Sequence, residues 1–161
     1  MKLLVTGGYG FIGSNFINLA SKLGHDILNI DSVTYAANRD NIKVDNIQNI
    51  EIDIADYNKL DPVVLDFAPD SIIHFAAESH VDNSINNPHI FLNTNIFGTY
   101  NLLQSCSKIK NDFHYIHIST DEVFGELGSE GFFTEETRYD PKSPYSASKA
   151  SSDHLVRAWS N

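Results

Sequence analysis

Five short runs of aliphatic and β-branched residues recur along the chain: Lys2 to Thr6, Asp26 to Ile30, Asn49 to Ile52, Ser71 to Phe75 and Phe113 to Ile118. Their apolar character is nearly continuous rather than alternating, which predicts strands buried on both faces, as in a parallel sheet. Between them the period changes. Phe11 to Leu23 carries apolar residues at Phe11, Ile12, Phe16, Ile17, Leu19, Ala20 and Leu23, a helical stripe that Gly24 closes as a C-cap. Asp56 to Phe67 and His89 to Lys108 read as helices in the same way. A last helix opens at Ser143-Pro144, an N-cap serine followed by proline at the first helical position. Strands alternating with helices predict an α/β fold, a doubly wound parallel sheet covered on both faces. Gly125 to Pro144, rich in Gly, Glu, Thr, Pro and Ser, is the one long irregular connection, and such loops often carry function. With no repeat, low-complexity segment or internal linker, the chain reads as one domain over residues 1–161.

Charge narrows the partners. Eleven Lys and Arg stand against 21 Asp and Glu, a formal net charge of −10, so a nucleic-acid or anionic-membrane surface would work against the protein's own field. An anionic ligand must instead be held by local devices such as helix N-termini and backbone amides. No apolar run approaches the ~20 residues of a membrane span. Met1-Lys2 leads straight into a strand without the apolar region of a secretory signal, and the reading is a cytoplasmic protein. Cys106 is the single cysteine, expected as a small buried apolar residue.

After the first strand comes "TGGYGFIGSNF", with Gly7, Gly10 and Gly13 in GxxGxxG spacing at the opening of a helix. Glycines there permit a tight turn and bring backbone amides close to a pyrophosphate, while the helix dipole favours its charge. A bare glycine pattern also fits a turn needing positive φ. The second strand, however, ends at Asp31, where a carboxylate would accept hydrogen bonds from ribose hydroxyls and repel a 2′-phosphate. That combination points to NAD rather than NADP. At the end of the third strand, Asp53-Ile54 are placed to hydrogen-bond and cover an adenine edge.

Tyr145 and Lys149 stand four apart on the last helix and so share a face. A phenol with a pKa near 10 is a poor base at neutral pH, and a neighbouring ammonium together with an oxidised nicotinamide is expected to lower it. The plainer reading is a surface Tyr and Lys on an amphipathic helix. Ser119, Thr120, Asp121 and Glu122 follow the fifth strand, at the carboxyl edge where ligands of such sheets bind. They read either as turn caps or as an acid–base pair whose environments separate their pKa values. His74, His80, His114 and His117 do not suggest metal, because His114 and His117 lie three apart on a strand and face opposite sides.

The GxxGxxG spacing together with Tyr145-x-x-x-Lys149 resembles the extended short-chain dehydrogenase/reductase superfamily. More narrowly, "TGGYGFIGS", "SVTYAAN", "FAAESHVDNSI", "NTNIFGTYNLL", "HISTDEVFG" and "SPYSASKASSDHLVRAW" resemble, in order, the dTDP-glucose 4,6-dehydratase family. Asn83 and Ser32-Val33 depart from its pattern. The resemblance implies an NAD-binding Rossmann domain with contacts from Gly7, Gly10, Phe11, Ile12, Gly13, Asp31, Ser32, Val33, Thr34, Asp53, Ile54, Phe75, Ala76, Ala77, Ser79, Thr94, Tyr145 and Lys149. It implies a catalytic set of Thr120, Asp121, Glu122, Tyr145 and Lys149, with Ser79 and Thr120 also toward the sugar of dTDP-glucose. Chains of that family are about twice as long, so the resemblance implies that the last strands and the substrate domain lie outside residues 1–161. It further implies a homodimer built on the helix from His89 and the final helix. A related epimerase or decarboxylase, and a non-catalytic NAD-binding module, remain the alternatives.

Overall fold

The structure, a computed structural model, describes residues 1–160. The apolar runs form β1 (Lys2–Thr6), β2 (Asp26–Asp31), β3 (Gln48–Glu51), β4 (Ser71–His74) and β5 (His114–His117). All pair in parallel, in the order β3-β2-β1-β4-β5. Because successive strand residues point to opposite faces, the register sorts the core into two layers. Leu4 lies opposite Leu28 and Ile72. With Ile30, these pack against Leu60, Val64 and Phe67 of α2 (Tyr57–Phe67) and Leu102 and Cys106 of α5 (Thr99–Cys106). Leu3, Val5, Ile27 and Ile73 face the other way, onto Ile17 and Ala20 of α1 (Phe11–Lys22). Leu60, Val64 and Leu102 are fully buried, each worth roughly 1.5–3 kcal/mol of burial. The predicted doubly wound α/β sheet is therefore observed. Cys106 is buried as expected, and burial raises its thiol to about 12.

Successive strands run outward from β1 in one direction to β3, and from β4 in the other to β5. The chain reverses between β1 and β4, and that switch point opens a crevice at their carboxyl ends.

The helix expected over His89 to Lys108 is three pieces on one path: α4 (Pro88–Phe91), a π-helical segment (Leu92–Gly98) and α5. An additional short helix, α3 (Val81–Asn86), precedes it. Periodicity does not separate α from π turns, which differ by one residue in the hydrogen-bond ring. The last helix, α6 (Pro144–Trp159), starts as predicted, and its Ser143 and Ser146 cap each other reciprocally. His114 and His117 do face opposite sides: His114 is exposed, while His117 turns inward against α6. β5 is a sheet edge, and its Ile116 is half exposed.

Candidate active site

The loop between β1 and α1 is shaped by close backbone approach. Gly7 has φ +73°, and a Cβ there would lie 2.6 Å from the backbone nitrogen of Ala76. A Cβ on Gly13 would lie 2.4 Å from the Gly7 carbonyl oxygen. Gly10 is the N-cap of α1; no side chain caps it, and the first turn holds no acidic residue. The positive end of α1 is thus left for an external acceptor. At the end of β2, Asp31 is 7% exposed, its two carboxylate oxygens accepting the N–H groups of Tyr9 (2.9 Å) and Val33 (2.8 Å).

These elements rim a cavity of about 880 Å³ at the switch point. Of the sequence-predicted residues, it is lined by Gly7, Gly10, Phe11, Ile12, Gly13, Asp31, Ser32, Thr34, Asp53, Ile54, Phe75, Ala76, Ala77, Ser79, Thr94, Tyr145 and Lys149. Val33 is not among its walls; it adopts φ +53°, and its N–H is turned to Asp31. Thr120, Asp121 and Glu122 do not line it either, but they continue directly from Ile118 and Ser119, which do. Among the described residues, no group of three or more His, Cys, Asp or Glu is placed to hold a metal ion.

One wall is set by a buried relay. The Thr99 hydroxyl donates to the Asn95 carbonyl (2.7 Å), so toward His74 Nε2 it accepts (2.9 Å). His74 therefore carries its proton on Nε2, and its Nδ1 accepts from the Thr6 hydroxyl (2.6 Å), which in turn accepts from the N–H of Ala76 (3.2 Å). Burial holds His74 well below its ordinary pKa, hence neutral. The relay fixes the Phe75–Ser79 strand exit where Gly7 meets it. Asn95, in the π segment, pins the same exit by accepting from the N–H of Glu78 (2.9 Å) and donating to its carbonyl (3.0 Å) and to Ser148 of α6 (2.8 Å).

Tyr145 and Lys149 are both buried and both face the cavity, so the reading as surface residues fails. Burial dominates the electrostatics of both side chains. Lys149 Nζ donates to the Ile118 carbonyl oxygen at 2.6 Å, and its pKa is lowered to about 8 by burial, against the pull of Asp153. The Tyr145 phenol is raised, chiefly by burial; Thr120 hydrogen bonding lowers it, while Glu122, Asp121 and Asp153 raise it further. Lys149 alone thus does not prepare a phenolate. Thr120 caps the short 3₁₀ turn Asp121–Phe124, its hydroxyl accepting from the N–H of Glu122 (3.3 Å). It is a turn cap and a neighbour of Tyr145 at once.

Sequence reasoning missed Asn29, whose side chain accepts from the N–H of Gly8 (3.0 Å), and Glu78, buried at the cavity with Tyr35 donating to it (3.2 Å). It also missed Asp153. A signal for that one was present, because Tyr145, Lys149 and Asp153 repeat at four-residue spacing on one helix face.

A parallel sheet with a glycine loop at its switch point, Asp31 closing β2 and a buried Tyr145–Lys149 pair at the far end of one cleft defines a Rossmann-type dinucleotide domain of the short-chain dehydrogenase/reductase kind. Comparison with known proteins sharpens this: the family model for GDP-mannose 4,6 dehydratase matches residues 4–161, and the chain belongs to that family. Over 172 residues it is 47% identical to dTDP-glucose 4,6-dehydratase of Neisseria meningitidis serogroup B, covering 98% of this chain and 48% of that protein. Its fold matches the crystal structure of dTDP-glucose 4,6-dehydratase from Streptomyces venezuelae with NAD bound, with a TM-score of 0.91 and 41% identity over 99% of this chain and 51% of that one. The NAD complex of UDP-glucose 4-epimerase from Thermus thermophilus matches at the same TM-score, 0.91, but 28% identity, over 99% and 50%. The chain spans about half the length of the curated relatives it matches.

Proposed function

We propose that the chain is the NAD-binding and catalytic part of a dTDP-glucose 4,6-dehydratase, which removes water from the sugar to give the 4-keto-6-deoxy product. The observation that carries the reading is the single cleft joining the glycine loop to Tyr145 and Lys149. Its chemistry suits NAD. The uncapped α1 N-terminus and the glycine positions that a Cβ would fill accommodate a pyrophosphate, and Asp31 offers its remaining lone pairs to ribose hydroxyls. NAD, when bound, supplies a hydride acceptor for sugar carbon 4 and later a donor for carbon 6.

The chain's own residues move the protons. Tyr145 takes the proton of the 4-hydroxyl, and Thr120 hydrogen-bonds the oxygen that becomes a ketone. That ketone acidifies the proton on carbon 5, which Glu122 removes, while Asp121 gives a proton to the departing 6-hydroxyl so that water leaves; Glu122 returns its proton to carbon 5 as carbon 6 takes hydride. Since burial raises Tyr145, the cation of a bound nicotinamide, beside protonated Lys149, is what favours the phenolate. Two adjacent carboxylates whose charges both act on the phenol favour dehydration over epimerisation, which has no hydroxyl to expel. The protein works in the cytoplasm, without membrane or nucleic-acid partners, as a homodimer through α4, the π segment, α5 and α6. Exposed Phe97 and Leu92, and the edge-to-face pair of Tyr100 and Trp159, support that surface.

Incubation with NAD and dTDP-glucose, followed by alkaline absorbance, tests the activity. A 4-keto-6-deoxy sugar is the expected product; a 4-epimer formed without loss of water would contradict it.

A further inference from the structure

Asp153 lies one turn beyond Lys149 and two beyond Tyr145 on the same face of α6. Its side chain is 12% exposed, and both its oxygens are engaged by groups from outside the helix. Oδ2 accepts from the Ser119 hydroxyl (2.6 Å) and from the Tyr139 hydroxyl (3.0 Å). Oδ1 lies 3.3 Å from His117 Nε2. His117 Nδ1 is buried without a partner, which fits a neutral ring protonated on Nε2, since an unpaired N–H would cost more than an unpaired lone pair. One carboxylate therefore ties together the end of β5, the long loop and α6.

The place of Ser119 gives this tie its consequence. It stands between Ile118, whose carbonyl receives Lys149 Nζ, and Thr120, whose side chain is near enough to the Tyr145 phenol to lower its pKa. Holding the Ser119 hydroxyl fixes both neighbours against α6. A hydrogen bond to a carboxylate is roughly twice as strong as a neutral one, so the anchor is firm. The same negative charge acts on Lys149, whose ammonium otherwise donates to the Ile118 carbonyl and lies within electrostatic reach of neutral His74 and His117.

We propose that Asp153 is a positioning residue that registers the Thr120–Asp121–Glu122 turn against Tyr145 and Lys149 and sets its negative charge one helical turn from the Lys149 ammonium. This rests on the reading of Tyr145 and Lys149 as the redox pair. Asp153 does not line the cleft; it acts through Ser119 and Lys149, which do.

The test titrates Lys149 by NMR in the chain carrying ¹³C-labelled lysine, with the Lys149 signal assigned from Lys149→Arg. Wild type should be about half protonated near pH 8. Asp153→Asn keeps the shape but removes the charge, and should lose roughly half or more of the protonated fraction at that pH. Ser119→Ala keeps the charge and should leave the titration close to wild type, while mobility of Thr120 rises in amide relaxation. An unchanged Lys149 titration in folded Asp153→Asn, or an equal shift in Ser119→Ala, would overturn the proposal. If Asp153→Asn does not fold, Asp153→Ser is titrated instead; failure of both to fold would make Asp153 a folding residue and equally overturn it. Neither cofactor nor sugar is needed, so absence of NAD binding in wild type would sink the functional reading while leaving this result legible.

Discussion

Replacing Thr6 by Val removes a hydroxyl from the centre of the relay with almost no change of shape or χ1 preference. Thr6 is fully buried and His74 nearly so. The change deprives His74 Nδ1 of its donor at 2.6 Å and the Ala76 N–H of its acceptor at 3.2 Å. A buried polar group left without a partner costs about 1–3 kcal/mol. His74 should bear most of this, because Ala76 is only half-buried and its bond is longer. The expected total is about 2–4 kcal/mol, or roughly 5–15 °C in midpoint for a chain of this size. Thr6→Ser is the control: it keeps the hydroxyl, loses one methyl group and should cost about 1 kcal/mol. Urea unfolding followed by circular dichroism measures both. Thr6→Val costing no more than Thr6→Ser would refute the relay as an energetic element of the cleft wall.

Lys149→Met should be relatively stabilising at neutral pH. The fall of Lys149 from 10.5 to about 8 corresponds to roughly 3 kcal/mol against the charged folded form, offset by loss of the bond to Ile118. Between about pH 8 and 10.5 the unfolded chain binds the proton that the folded chain has released, so wild-type stability rises with pH there and the advantage of Lys149→Met should shrink; thermal melts at pH 7 and 9.5 check this. Gly13→Ala places a Cβ 2.4 Å from the Gly7 carbonyl, a backbone clash worth about 1–3 kcal/mol, and should also abolish the rise in melting midpoint on adding NAD. Asp31→Ala frees the N–H groups of Tyr9 and Val33 and should weaken NAD in calorimetry without improving a competent loop. Glu122→Gln should leave NAD bound but stop exchange of the carbon 5 proton with deuterated solvent.

Much of this architecture is legible in the sequence because it depends on local pattern. Continuous apolar strands, the helix from Phe11 and the Ser143-Pro144 start each carry their own geometric signal and form where expected, but Phe11, Ile12, Leu19 and Leu23 of the predicted stripe are exposed, and the edge strands β3 and β5 are not buried on both faces. The glycine positions and Asp31 were legible for the same reason, being set by the turn from β1 and the end of β2. What escaped depends on residues distant in sequence. The π segment is held by Asn95 reaching Glu78 and Ser148, and no periodicity encodes that. The depression of Lys149 and the rise of Tyr145 arise chiefly from burial, which depends on how α6 packs against β5 and the segment after it, more than 20 positions away. Helical spacing put the two side chains on one face but left their surroundings unspecified.

The proposed function requires the cleft between the glycine loop and Tyr145 to hold NAD. Calorimetric titration of the chain with NAD and, separately, NADP measures this. The expected result is one NAD per chain, with NADP roughly tenfold weaker or more because Asp31 opposes a 2′-phosphate. Equal affinity for the two, or no binding of NAD, would contradict it.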